Sequence, residues 1–381
     1  MLLRLTWGHQ QRQIMMKKPN NKTVNEISER PILPAEAFQQ RVLTWYRAHG
    51  RKTLPWKVRG NLYVVWVSEI MLQQTQVATV IPYFERFMQH FPDINALAEA
   101  SSDEVLHLWS GLGYYSRARN LHKAAQLICQ DYAGEMPTQY DQWLELPGIG
   151  RSTAGAILAQ ATGQRYAILD GNVKRVLCRL HRITEWPGAT AIEKRLWQLA
   201  EYYTPSKKVA DYTQAMMDLG ATLCKRGRPL CGECPFQEVC LAYQFNEQTV
   251  IPQPRARRQL PVRQTTMLLL CNARNEVLLQ QRPPVGIWGG LWSLLECPAE
   301  ENVMDWCQKN LPYTVLPEQT WPIVRHTFSH FHLDITPVLM KTKNRTLLVM
   351  EDDTTIWYNT AKPDRLGLPA PVQRLLMRLQ R

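Results

Sequence analysis

Leu144-Glu145-Leu146-Pro147-Gly148-Ile149-Gly150-Arg151-Ser152-Thr153 sets a proline and two closely spaced glycines between two stretches of helical character. Upstream, Tyr140, Trp143, Leu144 and Leu146 recur at helical spacing, and downstream Ala154, Ile157, Leu158 and Ala161 do the same. The turn between them has to be tight. Glycine has no Cβ to stand between backbone amides and an approaching anion, and Arg151 opens a helix whose first amides and dipole favour a phosphate. A packed helix-helix corner reads about equally well from this stretch alone. The composition of the chain tips the reading toward phosphate.

The 381 residues exceed the usual size of one hydrophobic core, and two domains are expected. Lys and Arg number 45 against 33 Asp and Glu, a net charge of +12, which favours a polyanionic partner such as nucleic acid. Nine cysteines, an odd number with no secretory leader, point to a reducing compartment. No stretch reads as membrane-spanning.

Residues 1–30 read as an extension without structure of its own; they lack acidic residues before Glu26, but Met15 and Met16 weigh against an organelle leader. Residues 31–248 are helical in pattern, with caps such as Ser101-Ser102-Asp103-Glu104 ahead of Val105, Leu106 and Trp109. Residues 249–263, with Pro252, Pro254, Pro261 and four arginines, read as an extended basic linker. Residues 264–381 read as α+β: strands at Met267–Cys271, Val277–Gln280 and Phe331–Met340, then a helix at Val372–Leu379.

Glu69 is the one formally charged residue between Arg59 and Glu85, set among Val64, Val65, Val67, Ile70 and Met71, with Gln73 and Gln76 expected on its helical face. A carboxyl in such surroundings has a raised pKa and can give a proton near neutrality; a solvated helical face is the plainer alternative. Asp170, in Ile168-Leu169-Asp170-Gly171-Asn172, follows an apolar run and precedes a helix, so its plain role is an N-cap. A capping carboxylate held ionised can also stabilise a cation. One protonated and one charged carboxyl are what glycosidic cleavage through an oxocarbenium-like state requires.

Cys224-x6-Cys231-x2-Cys234-x5-Cys240 is suited to a metal centre, with zinc and an iron–sulfur cluster both open by spacing. Lys225, Arg226 and Arg228 make its first loop a phosphate clamp, or the whole a structural staple. Gly111-Leu112-Gly113-Tyr114-Tyr115-Ser116-Arg117-Ala118-Arg119 is a second glycine-rich turn with aromatics beside arginines, as a wedge into stacked bases needs, or again a packed corner.

Taken together, these stretches resemble the helix-hairpin-helix base-excision glycosylases, and within them the adenine DNA glycosylases (the MutY family). The carriers are Leu54-Pro55-Trp56, Ser68-Glu69-Ile70-Met71-Leu72-Gln73-Gln74-Thr75-Gln76-Val77, Gly111 to Tyr115, Leu146 to Gly150, Leu169 to Arg175 and the four cysteines. The resemblance implies an all-α glycosylase core with an iron–sulfur loop, followed by a Nudix-like α+β domain. It also implies removal of adenine opposite 8-oxoguanine or guanine in duplex DNA.

By the same resemblance, Glu69 protonates the imidazole ring of adenine and Asp170 stabilises the sugar cation. Gln74 and Tyr114 enter the duplex and Trp56 walls the adenine pocket, while Gly148, Gly150, Arg151 and Ser152 of the hairpin are expected to bind DNA. The four cysteines hold one [4Fe-4S] cluster.

Relatives of the endonuclease III kind carry lysine where Ser152 stands, and serine cannot form their Schiff base. A monofunctional enzyme is therefore expected, with the bifunctional lyase and a non-catalytic iron–sulfur DNA-binding protein as rivals. Lys57 departs from the arginine more usual after Leu-Pro-Trp. After Gly290-x5-Glu296 comes Cys297-Pro298-Ala299 in place of a magnesium-holding acidic helix, which leaves lesion reading rather than nucleotide hydrolysis. Phe328, Ser329 and His330 match the lesion-recognition segment, the plain alternative being an alternating strand. A monomer in a bacterium-like cytoplasm, associated with the nucleoid, is expected.

Overall fold

The computed structural model describes residues 31–255, 259–312, 314–342, 354–363 and 365–380. The extension 1–30 and part of the basic linker lie outside the described residues. The first half is helical: α1 (Ala35–His49), α2 (Leu62–Leu72), α3 (Val77–His90), α4 (Ile94–Glu99), α5 (Ser102–Trp109), α6 (Ser116–Tyr132), α7 (Tyr140–Glu145), α8 (Arg151–Thr162), α9 (Gly171–Leu180), α10 (Thr190–Tyr203), α11 (Val209–Asp218) and α12 (Leu241–Gln244). Local chemistry starts several of them. Ser101 and Glu104 form a reciprocal capping box on α5, and Asn61 caps α2 by accepting from the Val64 N–H.

The C-terminal half carries β1 (Val262–Cys271), β2 (Val277–Gln281), β3 (Trp292–Pro298), α13 (Val303–Asn310), β4 (Val315–Thr320), β5 (Val324–Thr327), β6 (His332–Thr342), β7 (Thr355–Tyr358) and α14 (Ala370–Leu379). The sheet runs β4-β6-β1-β3-β2-β7, with β5 on β6. The long β1–β6 pair is parallel and the other pairs are antiparallel. Leu268 and Leu270 face one side of β1, Met267 and Leu269 the other, so both faces are covered.

Two differences from the sequence reading have plain causes. Helix α2 ends at Leu72, because Gln73 turns extended (φ −57°, ψ 111°) and Gln74 left-handed (φ 58°); Gln76 therefore caps α3 and is not on the Glu69 face. Phe328-Ser329-His330 is not an alternating strand but the turn between β5 and β6, closed by the Phe328 N–H on the Phe331 carbonyl at 2.9 Å.

The two halves are packed on each other as well as joined by a linker. One core cluster runs from Trp66, Leu106, Trp109 and Leu121 into Met267, Leu269, Leu291 and Phe331. Around its edge the Tyr115 hydroxyl donates to the Leu368 carbonyl (3.1 Å), Arg119 Nη1 to the Gly289 carbonyl (2.7 Å) and Trp292 Nε1 to Asp103 Oδ1 (3.1 Å).

Candidate active site

Helices α2 and α8 lie side by side and build one wall of a pocket of about 840 Å³, within the range of small-molecule sites. Two polar rungs cross between them. Gln73 Nε2 donates to Thr153 Oγ1 at 3.4 Å, and Gln160 Nε2 donates to Glu69 Oε1 at 2.6 Å. The rungs follow from spacing: Gln73 directly follows the end of α2, four residues after Glu69, and Thr153 and Gln160 are seven apart on α8.

Glu69 and Asp170 line this same pocket. Burial pushes the Glu69 carboxyl up to about 7; the Gln160 hydrogen bond counters this and the nearby Asp170 charge adds to it. Asp170 caps α9: Oδ1 accepts from the Val173 N–H (2.8 Å) and Oδ2 from Asn172 Nδ2 (3.0 Å). Burial raises its carboxyl as well, opposed by the Val173 and Asn172 donors and the Arg175 guanidinium. Asp170 therefore has several groups favouring its ionised form where Glu69 has one. The close approach that creates this corner is fixed at Gly220, where a Cβ would stand 2.5 Å from Asn172 Cβ.

Trp56 and Ser152 also line the pocket. Trp56 packs edge-on to Phe84 with ring centroids 5.3 Å apart. The Ser152 hydroxyl accepts from the Leu169 N–H at 3.0 Å and so ties the start of α8 to the segment that carries Asp170. Gln74 and Tyr114 are both exposed and both left-handed, at φ 58° and 50°. Arg117 joins their turns: Nη1 donates to the carbonyls of Ile70, Met71 and Gln73 (3.0, 2.7 and 2.6 Å), and Nη2 to that of Gly113 (3.1 Å).

The glycines of the hairpin serve different ends. Gly148 is left-handed (φ 78°) and a Cβ there would stand 2.9 Å from the Asn120 side chain, whereas Gly150 is extended with open space where a Cβ would go. Arg151 lies over the Trp197 ring (3.8 Å to its centroid) and pairs with Glu201. Phe328, Ser329 and His330 are not at the pocket. They form the β5–β6 turn, where Phe328 stacks on Phe331 (centroids 4.6 Å apart) and Ser329 and His330 are exposed.

Cys224, Cys231, Cys234 and Cys240 converge on one small cavity. The buried Arg179 guanidinium is part of its wall, with Nη1 at 3.2 Å from Cys224 Sγ and 2.7 Å from the Lys225 carbonyl. From the same loop Lys225 and Arg226 reach the large pocket.

Two groups at the site escaped the sequence reading, Gln160 and the set Arg51–Asp218–Gln214; Arg117 was read only as a basic residue beside aromatics, not as the group that ties two turns together. Arg51 Nε and Gln214 Nε2 both donate to the fully buried Asp218 Oδ1 at 2.8 Å, and Gln214 Oε1 keeps no partner. Gln160 alone left a trace, as a polar residue interrupting the apolar run of α8.

Residues 67–202 match the model of the HhH-GPD superfamily base excision DNA repair proteins, and residues 266–378 that of the NUDIX domain. The "Adenine DNA glycosylase" of Buchnera aphidicola subsp. Acyrthosiphon pisum is 40% identical over 339 residues, which are 89% of this chain and 96% of that protein. The chain belongs to the adenine DNA glycosylase family. A stretch of 339 residues is longer than either half, so membership of the adenine DNA glycosylases rests on the helical half and the sheet together. The human adenine DNA glycosylase is 45% identical over 228 residues, 58% of this chain and 42% of its own. A solved thermostable thymine-DNA glycosylase superposes with a TM-score of 0.50 at 26% identity, covering 56% of this chain and 97% of its own.

Proposed function

We propose that this chain excises adenine from duplex DNA where it stands opposite 8-oxoguanine or guanine, by hydrolysis of the N-glycosidic bond and without an efficient strand-cutting step. The observation that carries the reading is the meeting of Glu69 and Asp170 in one pocket large enough for a flipped nucleotide. Glu69, held near 7 by burial, keeps a proton for the imidazole nitrogen of the base, so that adenine leaves neutral. Asp170, with its amide donors and Arg175, faces the developing sugar cation and guides water to the anomeric carbon. Trp56 supplies an apolar wall.

Gln74 and Tyr114, exposed on two turns held by one guanidinium, enter the duplex as wedges. Gly148 shapes the hairpin and Gly150 leaves its amides open to a backbone phosphate; Arg151 joins them by giving up Glu201. Ser152 offers a hydroxyl where a lyase needs an amine, and that hydroxyl is engaged with the Leu169 N–H.

Residues 31–248 form the catalytic domain and the reading head begins with β1 at Val262, two residues before the boundary expected from the sequence, because Val262 and Arg263 already pair with His332 and Leu333. Glu296 is paired with Arg282, which favours lesion reading by Phe328, Ser329 and His330 over nucleotide hydrolysis.

The four thiols line one cavity beside a guanidinium and, although no three such side chains among the described residues are grouped closely enough for a single metal ion, their donor chemistry suits a [4Fe-4S] cluster, of which each cysteine would hold one corner. When bound it supplies a rigid core that fixes the loop bearing Lys225 and Arg226. Visible absorption with iron and zinc assays on purified protein tests this; zinc without iron rejects the cluster.

The activity is tested with duplexes carrying adenine opposite 8-oxoguanine, guanine or thymine. Excision of adenine from the first two, with little borohydride trapping, is the expected result. Trapping as efficient as that of a bifunctional lyase overturns the monofunctional reading.

A further inference from the structure

We propose that Gln160 is the positioning residue of the Glu69 carboxyl: its amide holds Oε1, so that the proton passed to the base resides on Oε2. This rests on the reading of Glu69 as the acid. The Gln160 N–H donates to Oε1 at 2.6 Å, and because the carbonyl oxygen of a neutral carboxyl is the better acceptor, that bond favours Oε1 as the carbonyl and Oε2 as the hydroxyl. A neutral carboxyl in this place carries its hydrogen on the other oxygen, and Oε2 has no hydrogen-bond partner among the described residues and is not among the enclosed orphan atoms. The second rung, Gln73 to Thr153, fixes the register of α2 against α8 and so keeps the amide in reach.

Position adds a second duty. Beyond Gln160 lies a separate cavity of about 210 Å³, lined also by Lys52, Trp56, Lys57, Arg59 and Asp211, so the Glu69–Gln160 pair stands between the nucleotide pocket and a second, basic one. No charged group replaces the amide. Asp170 repels across the pocket, with Arg175 at its side. Arg51 is engaged with Asp218, and Arg117 with the carbonyls at the end of α2. Lys57 and Asp211 face the far cavity, while Lys225 and Arg226 approach from the cysteine loop. Among the described residues Gln160 is the one hydrogen-bond donor to Glu69.

The test uses Gln160→Met, which keeps the reach and loses the donor, and Gln160→Glu, which adds a competing carboxyl. Single-turnover excision from an adenine:8-oxoguanine duplex is followed from pH 5.5 to 9, with affinity measured on a duplex carrying a cleavage-resistant 2′-fluorinated adenosine. The N–H bond favours the charged carboxyl, so its loss raises the pKa of the acid and moves the alkaline fall in rate to higher pH.

The expected result for Gln160→Met is a plateau about tenfold lower, a rate at pH 8.5 about threefold higher relative to that plateau, and unchanged affinity. Gln160→Glu moves the fall further the same way. A fall at the wild-type pH in both variants, whatever the plateau, overturns the proposal, because a merely structural residue changes the rate without moving the limb. Glu69→Gln is the control. If it keeps turnover, the acid assignment itself fails; if it is inactive and the limb has not moved, only the role of Gln160 fails.

Discussion

A carboxyl group titrates where its surroundings put it, and Glu69 is held by burial with one amide as its donor among the described residues. On the proposed mechanism Glu69 acts protonated and Asp170 ionised, so excision should fall about tenfold per unit above about 7 and should fall again at acid pH as Asp170, itself raised by burial, takes up a proton. Glu69→Gln removes the transferable proton while keeping the shape of the side chain. Single-turnover excision is expected to drop by at least about a thousandfold with duplex affinity retained. Ser329 is exposed in a turn that does not line the pocket, so Ser329→Ala should leave excision from adenine:guanine duplexes unchanged and weaken the preference for 8-oxoguanine. Competition between the two duplexes reads this directly, and an intact preference removes the reading-head assignment.

Among the elements, the hairpin between α7 and α8 separates two uses of glycine. Gly148→Ala forces a side chain into a left-handed backbone and against Asn120, and should destabilise the fold by about 1–2 kcal/mol. Gly150→Ala meets nothing within the fold and has ordinary φ, so thermal stability should hold while DNA affinity falls, since the new methyl stands where a phosphate approaches. Melting curves and binding titrations on both variants decide it; equal loss of stability would falsify the division. Much of this was legible in the sequence, because Pro-Gly-x-Gly between two apolar periodicities has few solutions. What could not be read was which glycine served the backbone and which the ligand, since that depends on where the Asn120 side chain of α6 lies.

For the molecule as a whole, the Gly111–Tyr115 turn serves both halves. Tyr114 projects outward while Tyr115 turns in and donates to Leu368, and Ser110 donates to the same carbonyl at 3.2 Å. Tyr115→Phe with Ser110→Ala leaves that carbonyl without its two donors and should cost about 1–3 kcal/mol of docking between halves. Limited proteolysis of residues 249–263 should quicken, and 8-oxoguanine preference should fall more than the rate on adenine:guanine duplexes. Unchanged proteolysis and unchanged preference together would show that the interface does not govern lesion reading.

Short-range chemistry was within reach of the sequence alone. Caps, glycine turns, an isolated glutamate, an aspartate before a helix and four spaced cysteines each declare themselves within a few residues, because each depends on its near neighbours. Tertiary structure decided what lies between distant segments. It brought Gln160 to Glu69 across 91 positions, set Arg117 beneath the tips at Gln74 and Tyr114, closed the four thiols around one cavity beside Arg179, and joined the sheet to the helical half through Leu368. Those contacts are made between residues whose separation along the chain is large, and a hydrogen bond leaves no periodicity by which its partner can be found.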